Sequence, residues 1–342
     1  MYLQSLATAF PPHTFTQAQC FETLENSGAM DGLRGRSREL LHKVLTGNSG
    51  IETRRFCEAD LRRTFAFDAG ELHRHFEHHA PRLASEALLK ACDLASLKPS
   101  GIDALLVCTC TGYLCPGLSS YISEMLGLRP NAFLQDLLGL GCGAALPLLE
   151  TARGLLAANP QATVATIAVE ISSAAFYLND EPGVLISLCL FGDGAAAAIW
   201  RGENQGRQLR FQNFRTIHKP EHREKIRFVN AGGRLKNQLH RAVPSLAAEA
   251  VAELFEMRSG PPDHLIAHTG GRDVIEAIEC AIPSHQLCAT REVLRQYGNI
   301  SSPSVLAALE HSLTNNLGSE NLWLTAFGAG FAAHCGELQR TA

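Results

Sequence analysis

Three residues of this 342-residue chain, Cys142, His268 and Asn299, have the types and neighbours to do chemistry. Cys142 stands in "LGLGCGAALPLL", between two glycines and just ahead of an apolar stretch that suits a buried helix. A sulfur at the start of such a helix meets unpaired amides and the positive end of its dipole, which favours the nucleophilic thiolate. His268 closes "DHLIAH" before Thr-Gly-Gly, so its imidazole falls at a strand tip, where open α/β sheets collect their sites. Asn299 lies in "YGNISSPSV", a constrained loop that leads into a helix. Each has a plain reading alone: a core thiol, a satisfied core histidine, a turn or capping asparagine. Together they suit acyl transfer from a thioester. The sulfur attacks, the imidazole pairs with the thiolate, and the imidazole and carboxamide hold an oxyanion or the enolate left when a malonyl group loses carbon dioxide.

The elements that must place these groups are mixed α/β. "RLASEALLKACDLAS" carries an amphipathic helical stripe, and "IDALLVCT" and "ATVATIAVE" read as strands buried on both faces. Residues 143–157 predict a central helix, with Pro147 tolerated only in its first turn. "LISLCLFGDGAAAAIWRG" reads as two strands around a Gly-Asp-Gly turn, and the polar span 202–225 as a linker between halves. Helices are expected in "PSLAAEAVAELFEM" and "DVIEAIECA", and a final strand pair in "LWLTAFGAGFAAHC". The halves echo each other: "DALLVCTCTG" resembles "DHLIAHTGG", and "LCLFGDGAAAAI" resembles "LTAFGAGFAAHC". The division expected is residues 1–205, with the cysteine, and 206–342, with the histidine and asparagine.

Net charge is −4 without long runs, which points away from nucleic acid and toward small-molecule partners or a second copy. No apolar run reaches the roughly eighteen residues of a membrane span, and the start lacks a signal-peptide pattern. Eleven scattered cysteines suit reduced thiols in the cytoplasm. Neither "CTCTGYLC" nor "HRHFEHH" completes a metal-ligand pattern, and the latter reads as a solvated connecting segment.

These motifs, with "ATAFPP", "SGIETRRF", "APRLASEALLKA", "LGLRPNAFLQDLLGLGCGAA", "VEISSAAF", "AVPSLA" and "YGNISS", occur in an order that resembles the type III polyketide synthases, the chalcone synthase-like branch of the thiolase superfamily. The resemblance covers almost the whole chain. It implies a thiolase fold with a duplicated five-layered αβαβα core, a homodimer, acyl-CoA and malonyl-CoA as substrates, and no metal or redox cofactor. It also implies Cys142 as nucleophile, His268 and Asn299 as its partners, and Phe191 as a gatekeeper. Cavity positions by the same resemblance are Cys110, Cys115, Ser172, Ala175, Phe228, Asn237 and Ser301. Lys43, Arg54, Arg55, Gly270 and Gly271 fall near the coenzyme A positions. Gly112, Cys115 and Pro116 match a loop that approaches the partner's cavity.

Departures from the family pattern bear on the product. Asn237 stands where a second gatekeeper phenylalanine is usual, and Phe228 falls near a position that is glycine in chalcone synthase. The expected activity is acyl-primed, malonyl-extended synthesis of a small resorcinol, pyrone or related aromatic. A single-condensation enzyme of ketoacyl synthase III or quinolone type is the alternative. A papain-like cysteine hydrolase and a silent partner subunit fit the residues less well.

Overall fold

The computed structural model describes residues 1–204, 209–315 and 320–341. The expected division at 205–206 lies outside the described residues. Among the described residues, nine strands make one mixed sheet, whose two parts meet only where Tyr2 pairs with Arg210. From that junction the first part runs Tyr2–Ala9, Gly194–Arg201, Thr163–Glu170, Ala104–Cys108 and Phe133–Leu137. The second runs Leu209–His218, Ala332–Arg340, Asn321–Gly328 and His264–Ala267. In both parts the first strand lies beside the last, the last beside the one preceding it, and the second strand beyond. This repeated order is the structural form of the sequence echoes.

Side-chain alternation divides the core into layers. Leu106 and Cys108 of one part, with Ile266, Leu322 and Leu324 of the other, pack on two central helices, Ala145–Ala158 and Ser304–Asn315. Leu105 and Val107 face the outer helices Ala69–Leu94 and Leu118–Leu126. Leu265, Trp323 and Ala333 face the outer helices Val243–Glu256 and Arg272–Ala281 on the other side. Helices, sheet, helices, sheet and helices therefore form the five layers of a thiolase fold.

Three local expectations change. Residues 182–190 form a helix, not a strand: Pro182 sits at its first turn, where no amide is needed, and an all-apolar run does not distinguish a buried helix from a strand. Most of the expected linker is regular, because Leu209–His218 is a strand paired with Ala332–Arg340. Its long polar side chains lie on a largely exposed face, which hides the strand pattern. "HRHFEHH" belongs to the helix Ala69–Leu94, capped by Asp68 in a capping box, and His75 is buried.

Candidate active site

The nucleophile turn follows the strand Phe133–Leu137 and consists of a short 3-10 turn, Gly141–Gly143, running into the central helix Ala145–Ala158. Gly141 has φ +57°, and a Cβ there would come 3.0 Å from the amide nitrogen of Ala329. Glycine thus lets the turn lie against the loop that follows the strand Asn321–Gly328. Cys142 is 7% exposed, and its Sγ accepts a hydrogen bond from Ser301 Oγ at 3.1 Å.

His268 directly follows the strand His264–Ala267 and is buried, with Nδ1 2.5 Å from Ser304 Oγ. The Ser304 hydroxyl has one proton and donates it to the carbonyl of Ser301 at 2.5 Å. Nδ1 therefore carries a hydrogen and donates to Ser304, leaving Nε2 as the basic nitrogen.

Asn299 is fixed on both sides. Its Oδ1 accepts the amide of Ser301 at 2.8 Å, which assigns the carboxamide and leaves the Nδ2 hydrogens free of that bond. Its backbone forms a parallel bridge with Phe191: the Asn299 amide donates to Leu190 O at 2.9 Å, and the Gly192 amide donates to Asn299 O at 3.0 Å. Ser301 has φ +58°, unusual for a side-chain-bearing residue. That backbone goes with the position of its hydroxyl between Cys142 and Cys110, 3.3 Å from the Cys110 sulfur.

Glu170, at the end of its strand and fully buried, ties the two halves together at this point. One oxygen accepts from the Cys110 and Thr111 amides and from the Thr109 and Thr111 hydroxyls. The other accepts from Ser302, and the Ser301 hydroxyl lies 3.4 Å from it. Neither Glu170 nor Ser304 was foreseen from sequence. The signal for Glu170, an acid ending an apolar strand, gains meaning only when "SSP" of the other half faces it.

Cys142, His268, Asn299, Phe191, Phe228, Asn237 and Gly270 line one cavity of about 30 Å³. A neighbouring cavity of about 30 Å³ shares Phe191, Phe228 and Asn237 and adds Ser172, Ala175 and Ser301. An open cleft of about 640 Å³ includes Cys110, Gly112, Tyr113 and Arg227, and Phe228 lines it too. Phe228 thus borders all three spaces. It stands opposite Asn237 in the hairpin of Ile226–Ala231 and Arg234–Leu239, so an aromatic ring faces the position where the usual one is missing. The Ser172 hydroxyl is buried without a hydrogen-bond partner within the protein.

Burial is the largest influence on both reacting groups. It pushes the Cys142 thiol up to about 12, although the Ser301 hydroxyl bond pulls the other way, and it lowers His268 to about 3. Both shifts favour the neutral thiol and the neutral imidazole, so the helix end does not by itself hold Cys142 as a thiolate.

The expected coenzyme A positions divide. Gly270 lines the reacting cavity, and Gly271, with φ +114°, begins the helix Arg272–Ala281. Lys43 is exposed in the last turn of the helix Gly35–Thr46. Arg55 is half-buried, with Nη1 toward Pro11 O at 3.5 Å. Arg54 needs correction. It is 3% exposed, with its guanidinium turned inward onto backbone carbonyls, so it is not placed to grip a phosphate. Cys115 is exposed beside Pro116 and does not line any of the three spaces. The rings of His75 and His79 lie 4.4 Å apart, yet among the described residues no cluster of three or more His, Cys, Asp or Glu could hold a metal.

The family model for FAE1/type III polyketide synthase-like proteins matches residues 8–230. The phloroglucinol synthase of Pseudomonas fluorescens is 26% identical over 338 residues, 95% of each chain. The 1,3,6,8-tetrahydroxynaphthalene synthase of Streptomyces griseus is 26% identical over 340 residues, 96% of this chain and 89% of the relative. Among solved structures, the tetrahydroxynaphthalene synthase of Streptomyces coelicolor superimposes with a TM-score of 0.87 at 23% identity over all of both chains. A polyketide synthase of the brown alga Ectocarpus siliculosus gives 0.89 at 22% identity over 99% of this chain and 98% of that one. The family match spans well over half of the sequence, so the chain belongs to the FAE1/type III polyketide synthase-like family, as a polyketide-building acyltransferase.

Proposed function

We propose that the protein loads an acyl group from a coenzyme A thioester onto Cys142, extends it with malonyl-CoA, and closes the chain into a small resorcinol, pyrone or related aromatic. The carrying observation is that Cys142, His268 and Asn299 line the same cavity. In loading, Sγ gives its proton to His268 Nε2 and attacks the thioester carbonyl, and coenzyme A leaves as a thiolate that takes its proton from solvent, so Nε2 keeps the hydrogen it donates in the next step. In extension, the malonyl carboxylate leaves as carbon dioxide, and its bonding pair becomes an enolate held by donors at Asn299 Nδ2 and the His268 ring. The enolate carbon then bonds to the acyl carbon and expels the Cys142 sulfur. These steps run on thiol, imidazole and amide, and the reading includes no resident cofactor.

The working unit in this reading is a homodimer. The strand Phe133–Leu137 lies at the end of the sheet with one edge free, and Phe133 is 49% exposed. Met125 (51%) and Tyr113 (65%) are exposed apolar neighbours in sequence of this edge and of the Cys115 loop. Such an edge is usually covered, and a second copy covers it symmetrically. No helix among the described residues is long and apolar enough to cross a membrane. The cytoplasm suits a nucleophile that must stay a free thiol.

The test is release of labelled carbon dioxide from malonyl-CoA, with product masses read across a panel of acyl-CoA starters. Asn299→Ala is expected to lower decarboxylation by about 100-fold or more, the cost typical of one oxyanion donor. A folded wild-type protein that never decarboxylates malonyl-CoA overturns the reading. Products of one condensation only would favour the single-condensation alternative.

A further inference from the structure

We propose that Arg54 is a positioning residue that sets the catalytic Asn299 and the Phe191 gate as one unit. Its guanidinium donates through Nη1 to Leu188 O at 2.7 Å and to Phe191 O at 2.9 Å, and through Nε to Gln17 Oε1 at 2.9 Å. Gln17, also buried, donates its Nε2 to Cys189 O at 2.9 Å. The pair therefore takes three carbonyls at the end of the helix Pro182–Leu190, the negative end of that helix. Among the described residues no carboxylate forms a salt bridge with Arg54, and its charge rests on these carbonyls and on the ring of Phe56, 5.1 Å away. A buried cation without a counter-charge is costly to keep unless its hydrogen bonds are all placed, so this ribbon of backbone is held at a fixed position.

The other side of the same ribbon carries Asn299. Leu190 O, between the carbonyls gripped by Gln17 and Arg54, accepts the Asn299 amide, and Gly192 returns a bond to Asn299 O. Gly298, just before the catalytic asparagine, has φ +69°, and a Cβ there would come 2.9 Å from Arg54 Cγ and 2.6 Å from Leu190 O. The arginine stem thus packs directly behind the Asn299 turn while its head holds the Phe191 carbonyl. Lysine supplies a single charged point in place of the planar fork and does not reproduce both carbonyl bonds and the Gln17 bond together.

The proposal rests on the malonyl condensation described above, and the wild-type decarboxylation rate tests that condensation separately. In Arg54→Lys, kcat for malonyl-CoA decarboxylation is expected to fall about tenfold with KM changed less than about twofold. Malonyl-N-acetylcysteamine, which lacks the phosphates, is expected to suffer the same loss. In an Asn299→Ala background the substitution is expected to add less than about twofold, because the two act through one group. A crystal structure of Arg54→Lys is expected to show the Phe191–Asn299 bridge displaced, a readout independent of activity. Should Arg54→Lys fail to fold, Gln17→Leu keeps the arginine and is expected to give a smaller loss, about threefold, with the same dependence on Asn299. An undisturbed bridge, losses that multiply with Asn299→Ala, or a rise in KM that spares the phosphate-free thioester would each overturn the proposal.

Discussion

Phe228 and Asn237 face each other across a two-stranded hairpin, and of the two only Phe228 reaches all three spaces around the nucleophile. The aromatic residue that the family resemblance leads one to expect at Asn237 has a counterpart on the opposite strand, Phe228. It borders both the small reacting cavity and the wide cleft, where its ring would meet a lengthening chain.

Phe228→Gly removes that ring. The variant is expected to keep starter loading and to release products heavier by one or more two-carbon units, read by mass spectrometry of the product mixture. An unchanged set of masses at retained turnover would remove Phe228 as the limit on chain length.

Ser304 fixes the tautomer of His268 by accepting its Nδ1 hydrogen. Ser304→Ala leaves that hydrogen buried without its acceptor, at a cost of about 1–3 kcal/mol. Steady-state turnover is expected to fall about tenfold or more, with binding of coenzyme A, measured by calorimetry, little changed. Equal turnover in the alanine variant would show that the imidazole is oriented by other contacts.

Much of this site could be read from sequence. Cys142 and His268 declare themselves by local pattern, a glycine-flanked thiol before a helix and an imidazole at a strand tip. Ser304 and Glu170 do not, because their roles arise only where loops from the two halves meet. Arg54, placed near the coenzyme A positions by the resemblance, misled for a physical reason: it is buried and faces the carbonyl end of a helix that was itself read as a strand. Leu209–His218 was hidden by its polar outer face. The layers were legible because Leu105 to Cys108 and Thr163 to Glu170 are buried on both sides, as strands between two helical layers must be.

Glu170→Gln exchanges an acceptor-only carboxylate for an amide whose own hydrogens would face the donor of Ser302 or those of Thr109 to Thr111. Destabilisation of about 3 kcal/mol is expected from a broken buried network, a fall in Tm of several degrees. A Tm equal to wild type would mean that the loops do not depend on this carboxylate.

Acid should loosen the fold before it protonates most carboxylates. Burial lowers His75 and His334 to about 4 and His268 to about 3, so below ~6.5 the unfolded chain binds protons that the folded chain refuses. Stability present above ~6.5 is therefore lost as pH falls toward 4. His79 is lowered to about 4 as well, and Asp193, raised to about 6 by burial, acts in the opposite sense as a single group against four. Urea unfolding at pH 5 is expected to show a stability lower by on the order of 2 kcal/mol than at pH 7.5. Equal or greater stability at pH 5 would contradict the neutral, buried state of these histidines.

The most direct test is intact-protein and peptide mass spectrometry after brief incubation with an acyl-CoA starter in the absence of malonyl-CoA. The expected result is one acyl group on the peptide that contains Cys142, absent in Cys142→Ser. A starter-dependent product formed by the serine variant, or acyl mass found only on other cysteines, would contradict Cys142 as the residue that carries the growing chain.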